Sequence, residues 1–145
     1  MIALLQRVSR AEVTVDGETV GSIGTGLLVF IGVRPIDDEA SAKRLLARLL
    51  QYRVFPDDAG KMNLSLIQVK GQLLLVPQFT LAADTAKGLR PGFSTAAPPE
   101  QSRRLFDFLV EAARDELGAV EAGSFGSHMQ VALTNDGPVT IWLES

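Results

Sequence analysis

The stretch Ile2–Val15, IALLQRVSRAEVTV, reads as one long strand, and the residues after it say how it is paired. Asp16-Gly17 comes directly behind it. Asp-Gly is strong hairpin chemistry, because a two-residue primed turn needs positive φ at both central positions. Glu18–Ile23 then returns beside the first strand, with Gly24 and Gly26 as punctuation. Leu27–Val33, LLVFIGV, has no polar position and reads as a strand buried on both faces, stopped by Pro35.

Beyond Pro35 the hydrophobic period changes. Ala42, Leu45, Leu46, Leu49 and Leu50 recur at helical spacing behind Asp37 or Asp38, either of which is a good N-cap. Arg53–Phe55 is short and extended, and Pro56–Gly60 is a turn. Leu64–Val69 and Gln72–Val76, joined by Lys70-Gly71, are expected to form a second hairpin. Pro77–Pro99 shows no period, and irregular stretches of that length in a compact domain are often functional. Glu100–Leu117 is a second amphipathic helix, with Leu105, Leu109, Ala112, Ala113 and Leu117 on one face and Gly118 as its stop. Ala119–Phe125, Met129–Thr134 and Val139–Leu143 are extended. Hairpins interrupted by two single helices predict one α+β domain over residues 1–145. It is a curved, mostly antiparallel β-sheet or partial barrel covered by two helices.

Composition narrows the function classes. Of 145 residues 46% are hydrophobic and 21% charged, as in globular domains that bury one core. With no cysteine, a disulfide framework, a thiolate nucleophile and Cys-based zinc sites are excluded. The N-terminal residues carry Arg7 and Arg10 and no signal-peptide pattern, and no apolar run spans a bilayer, so a cytoplasmic chain with no membrane contact is expected. The net charge of −3 argues against a large nucleic-acid footprint, since phosphate neutralisation supplies most of that affinity. A footprint of a few terminal nucleotides stays open.

Ordinary hydrolase machinery is scarce. His128 is the only histidine and reads as a surface residue, no G-x-S-x-G elbow is present, and no ligand spacing suggests a metal. Asp57-Asp58 and Asp37-Asp38-Glu39 read as turn and cap residues. Two segments carry more. Pro77-Gln78-Phe79-Thr80-Leu81 follows the apolar LLLV; it either offers N–H and hydroxyl groups to a ligand or is a strand end turning polar. Asn135-Asp136-Gly137-Pro138-Val139-Thr140 is turn chemistry, and its Gly-Pro bond is a place where a cis peptide occurs. Phe125 and Met129, four apart on an expected strand, share a face that either bounds an adenine-sized slot or belongs to the core.

Together these residues resemble the D-aminoacyl-tRNA deacylase family over the whole chain. Ile2–Val8 is similar to its N-terminal strand; Gly60–Leu64 and Arg90–Ser94 are similar to internal landmarks. Of its two signatures, Asn-x-Gly-Pro-Val-Thr is matched at Asn135–Thr140, and Ser-Gln-Phe-Thr at Gln78, Phe79 and Thr80. The resemblance implies a homodimer that removes D-amino acids, and glycine mischarged on tRNA(Ala), from the 3′ end of aminoacyl-tRNA, without cofactor or metal. It implies catalysis at Gln78, Phe79 and Thr80, with backbone N–H groups forming an oxyanion hole and the ribose 2′-OH assisting water. Gly137-Pro138, cis and held by Arg7, would enter the partner's pocket and reject L-amino acids, while Phe125 and Met129 would line the pocket for the terminal adenosine. Lys87 and Arg90 are among the cations that would meet its phosphates.

Pro77 departs from this pattern, standing where most members carry serine. An animal branch with altered chiral tolerance also begins this motif Pro-Gln, but continues with Ala where this chain has Phe79. A deacylase of relaxed chirality is therefore the nearest alternative. An amidohydrolase with Thr80 as nucleophile is another, and it lacks a base; a non-catalytic RNA-end binding module is a third, which the acidic charge does not favour.

Overall fold

The computed structural model describes residues 1–145. Its first strand, β1 (Ile2–Val15), organises the rest. β2 (Glu18–Ile23) pairs antiparallel with the second half of β1 and β3 (Gly26–Gly32) with the first half, while β8 (Gln130–Glu144) runs antiparallel along most of its other edge. β6 (Gln72–Pro77) joins β3 in parallel, and β7 (Glu121–Ala122) joins β6. The hairpin at Asp16-Gly17 has the expected chemistry, with φ of 50° and 82°. A small separate ladder, β4 (Phe55–Pro56) with β5 (Met62–Leu64), closes the turn in which Asp57 accepts from the N–H groups of Ala59 and Lys61.

Alternation along the strands builds two cores. Leu27, Val29 and Ile31 of β3, with Leu73 and Leu75 of β6, face α1 (Glu39–Gln51) and α3 (Pro99–Leu117) in a cluster of 26 buried residues. The intervening Leu28, Leu74 and Val76 face the other way. The sheet curls so that they meet Val8, Ala11 and Val13 of β1 and Ile23 of β2. The expected α+β domain with a curved sheet is therefore what forms, nearly closed on itself, with a third short helix.

Three expectations about elements are corrected. Leu64–Val69 and Gln72–Val76 do not form a hairpin. Ser65 and Gln68 make a reciprocal capping box that turns α2 (Leu66–Val69) into a helical turn, which Lys70 ends in left-handed conformation at φ 53°. β6 is then delivered parallel to β3, where both faces of its apolar run are buried. Second, Asn135–Thr140 does not end a hairpin. The two expected pieces Met129–Thr134 and Val139–Leu143 belong, from Gln130 onward, to one strand, β8, because both flanks pair with β1 in the same direction. Third, regular pairing in Ala119–Phe125 is confined to Glu121–Ala122.

Both longer helices lie where their spacing places them. Phe106 and Val110 are buried on α3 in addition to the expected Leu105, Leu109 and Ala113. Asp38 is the N-cap of α1, accepting from Ser41 N–H at 2.8 Å, whereas Asp37 is buried and pairs with the N-terminal ammonium at 2.6 Å. The Ser41 backbone N–H, and then its hydroxyl, hold the Asp38 carboxyl below its ordinary 3.8. A carboxylate with a depressed folded pKa contributes stability that is present above the unfolded value and lost as pH falls through the folded one. Asp38→Ala should therefore lower the urea midpoint at pH 7. The gap to wild type should close on acidification below 3.8, read by urea denaturation at several pH values.

Candidate active site

β6 ends at Pro77, and the chain turns away. Gln78 N–H donates to Ile31 O at 2.8 Å, extending the β3 pairing by one bond, and Phe79–Ala82 form a single 3-10 turn. Leu81 makes the first internal bond of that turn, to Gln78 O at 3.2 Å, so the N–H groups of Phe79 and Thr80 precede the ladder. The Gln78 amide Nε2 donates to the Thr80 hydroxyl. Phe79 is half exposed and packs against Phe93, ring centroids 5.0 Å apart.

Beside this turn lies a cleft of about 580 Å³. Its walls include Pro77, Gln78 and Phe79 on one side, Phe93, Ala97 and Ser102 on another, and Phe125–Met129 with Val131 on the third. Phe125 and Met129 share it, but not as neighbours on a strand face. They flank a turn at Gly126, φ 79°, with the Ser124 and Ser127 hydroxyls 2.7 Å apart. Gly123 seats Met129: a Cβ there would lie 2.9 Å from Met129 Sδ and 3.3 Å from Pro77 Cδ. His128 is exposed at the rim. The cleft lining contains no Asp or Glu, and no group of three or more His, Asp or Glu is placed to hold a metal ion.

The second motif lies elsewhere. Between Thr140, opposite Gln6, and Asn135, opposite Val8, β8 advances five steps while β1 advances two, so three extra residues are extruded. The Asn135 side chain braces this loop, accepting from Val139 N–H at 2.7 Å and donating to Val139 O at 3.1 Å and Thr140 Oγ1 at 3.1 Å. Arg7, its side chain only 12% exposed, donates from Nε to Asp136 O at 2.9 Å and from Nη1 to Val54 O at 2.6 Å. Gly137-Pro138, a cis peptide, stands exposed at the tip.

Gln78, Phe79, Phe125 and Met129 are thus brought to one cleft; Thr80, next in the chain after Phe79, does not itself line it. Arg7, Gly137 and Pro138 form a separate group, and none of the three lines that cleft. Sequence reasoning missed Gly123 and the contact of Phe93 with Phe79. An isolated glycine carries no sign of which side chain will cross it, and Phe93 lay in an aperiodic stretch.

The model of the D-Tyr-tRNA(Tyr) deacylase family matches residues 4–144. A D-aminoacyl-tRNA deacylase of Xanthomonas oryzae pv. oryzae is 62% identical over 144 residues, 99% of each chain, and one of Azotobacter vinelandii is 59% identical over the full length of both. Among solved structures, one described as the c-Myc DNA Unwinding Element Binding Protein superposes with a TM-score of 0.95 at 39% identity, covering 100% of this chain and 99% of that one. A probable eukaryotic D-amino acid tRNA deacylase shares the fold, with a TM-score of 0.89 at 16% identity over 99% of this chain and 98% of that one. No helix is long and apolar enough to cross a membrane.

Proposed function

The chain belongs to the D-Tyr-tRNA(Tyr) deacylase family and is a hydrolase of D-aminoacyl-tRNA; from that premise we propose how its residues divide the work. The ester carbonyl sits at the 3-10 turn and accepts from the N–H groups of Phe79 and Thr80, which stabilise the developing oxyanion. Water adds to the carbonyl carbon, with the neighbouring ribose 2′-OH assisting its deprotonation. The bond to the 3′-oxygen then breaks, and that oxygen leaves as the 3′-OH of tRNA. The terminal adenosine occupies the slot between Phe125 and Met129. The reaction takes place in the cytoplasm, where aminoacyl-tRNA is used.

The observation that carries this reading is the company Thr80 keeps. Its hydroxyl receives a hydrogen bond from the Gln78 amide, a group that cannot accept the proton a nucleophile must lose. An activated ester needs no protein nucleophile when positioning and the substrate's own hydroxyl supply the chemistry. The reading of Thr80 as a covalent nucleophile therefore lacks its base.

Chiral selection is assigned to Gly137-Pro138 of a second copy. Within one chain the loop does not line the cleft, yet it is braced by Asn135 and Arg7 as though its tip must be held in place. It rides on β8, whose other edge pairs with nothing in the chain, so a partner subunit has access to it. Delivered into the partner's cleft, a rigid loop excludes an L side chain and admits glycine or a D side chain. Pro77, a wall residue, fixes its own φ, leaves the Gln78 N–H bond to Ile31 intact, and is compatible with D-selectivity.

The test is hydrolysis of D-Tyr-, Gly- and L-Tyr-tRNA by wild type and Pro77→Ser, with and without chelator. Both proteins should cleave the first two and spare the third, with no effect of EDTA. Cleavage of L-Tyr-tRNA by wild type would place this chain with deacylases of relaxed chirality. Full activity from a monomer at micromolar concentration would sink the cross-subunit assignment.

A further inference from the structure

Arg103 lies on α3 with Glu100 three residues before it and Asp107 four after, spacings at which helix ion pairs form. Neither pair is made. The Arg103 guanidinium instead lies over the Phe125 ring, 4.8 Å from its centroid, and Nη2 donates to the Phe125 carbonyl at 3.3 Å. The same nitrogen stands 3.7 Å from where Gly126 would carry a Cβ. Phe125 and Gly126 both line the cleft, and the lining holds no carboxylate to neutralise a cation at its rim. Only Nη2 of this guanidinium is hydrogen-bonded; Nε and Nη1 have no partner, and the side chain is exposed.

An arginine pinned by a ring face and a carbonyl is preorganised. Because Nη2 spends one of its two hydrogens on Phe125, its second hydrogen and the neighbouring free N–H leave one edge of the fork to match two oxygens of a phosphate. We propose that Arg103 is a binding residue for the substrate, taking the phosphate on the 5′ side of the terminal nucleoside while that nucleoside's base lies against Phe125 and Met129. This rests on the deacylase reading and adds to it a second point of grip. It also accommodates the acidic charge of the chain, because one placed guanidinium at the cleft holds the RNA end without a basic surface.

The experiment compares D-Tyr-tRNA with D-tyrosyl-adenosine, which has the same ester and base but no phosphate, on wild type, Arg103→Met and Arg103→Lys. A charge-assisted contact of this kind carries about tenfold in affinity. Arg103→Met should raise KM for D-Tyr-tRNA by about that factor with kcat unchanged, and leave KM for D-tyrosyl-adenosine as it is. The slope of log KM against log salt should fall by about 0.7, the share of one single-strand phosphate. Arg103→Lys, which keeps stem and charge but loses the fork, should show the same substrate split at smaller size. Equal losses on both substrates would mean that Arg103 only supports the Phe125 turn and would overturn the phosphate contact, as would no change on either. Wild type failing on both substrates would overturn the deacylase reading itself.

Discussion

Gly137→Ala should lower kcat/KM for D-Tyr-tRNA by about a hundredfold or more while far-UV circular dichroism and melting temperature stay near wild type; a misplacement of about 1 Å at a reacting centre costs on that order. The physical cause is local. Gly137 has φ 151°, where L side chains are strained, and an added Cβ would meet Val139 Cγ2 at 2.7 Å, Val139 N at 2.8 Å and Arg7 Nη2 at 3.3 Å. Val139 N is also the atom that the Asn135 carboxamide holds at 2.7 Å. The methyl therefore displaces the loop tip from the brace that sets it. β8 on either side remains paired with β1, so the sheet persists. Asp136→Ala is the control: Arg7 Nε grips the Asp136 backbone carbonyl at 2.9 Å, a contact that the substitution keeps, and activity should stay within about threefold, the scale of an exposed ion pair. Wild-type kcat/KM in Gly137→Ala would remove the loop from the mechanism.

The second large effect is carried by the substrate. A tRNA ending in 2′-deoxyadenosine, charged with D-Tyr at its 3′-OH, should be hydrolysed about a hundredfold more slowly than its ribose counterpart, the usual weight of a positioned proton-transfer group. On the proposed mechanism Thr80→Ala should retain most of wild-type activity on the ribose substrate, because water is there the attacking group and the Thr80 hydroxyl serves only as a hydrogen-bond acceptor for Gln78. Single-turnover rates for the four combinations decide it. A trapped acyl–Thr80 ester, or a deoxy substrate turned over at the full rate, would return the chemistry to the protein.

The legible parts of this fold were those that neighbours within one turn or one strand decide. The helices over residues 39–51 and 99–117 were visible from apolar spacing, and capping chemistry narrowed the first N-cap to Asp37 or Asp38, between which only the structure chose. Both signature segments stood out because Gln78-Phe79-Thr80 and Asn135–Thr140 put polar and turn-forming residues next to apolar strands. The same local signals misled where two partners compete for them. Lys70-Gly71 serves a hairpin and a helix C-cap equally well, and the Ser65–Gln68 capping box decided for the helix. Asn-Asp-Gly-Pro serves a chain reversal and an extruded loop equally well, and the length of β1 decided for the loop.

By itself the sequence determined the fold class, the Asp16-Gly17 hairpin, the two long helices and the two motifs, since each depends on side-chain chemistry over a few consecutive residues. Tertiary structure alone decided that β6 lies parallel to β3, that β8 is one strand, and that Pro77, Phe93, Gly123, Phe125 and Met129 come together around one cleft. It also decided that Gly137-Pro138 stands outside that cleft in its own chain. These are long-range choices, made by burying both faces of Leu73–Val76 and by fitting Met129 and Pro77, distant in sequence, against the bare backbone of Gly123. No window of local sequence contains the atoms that make them.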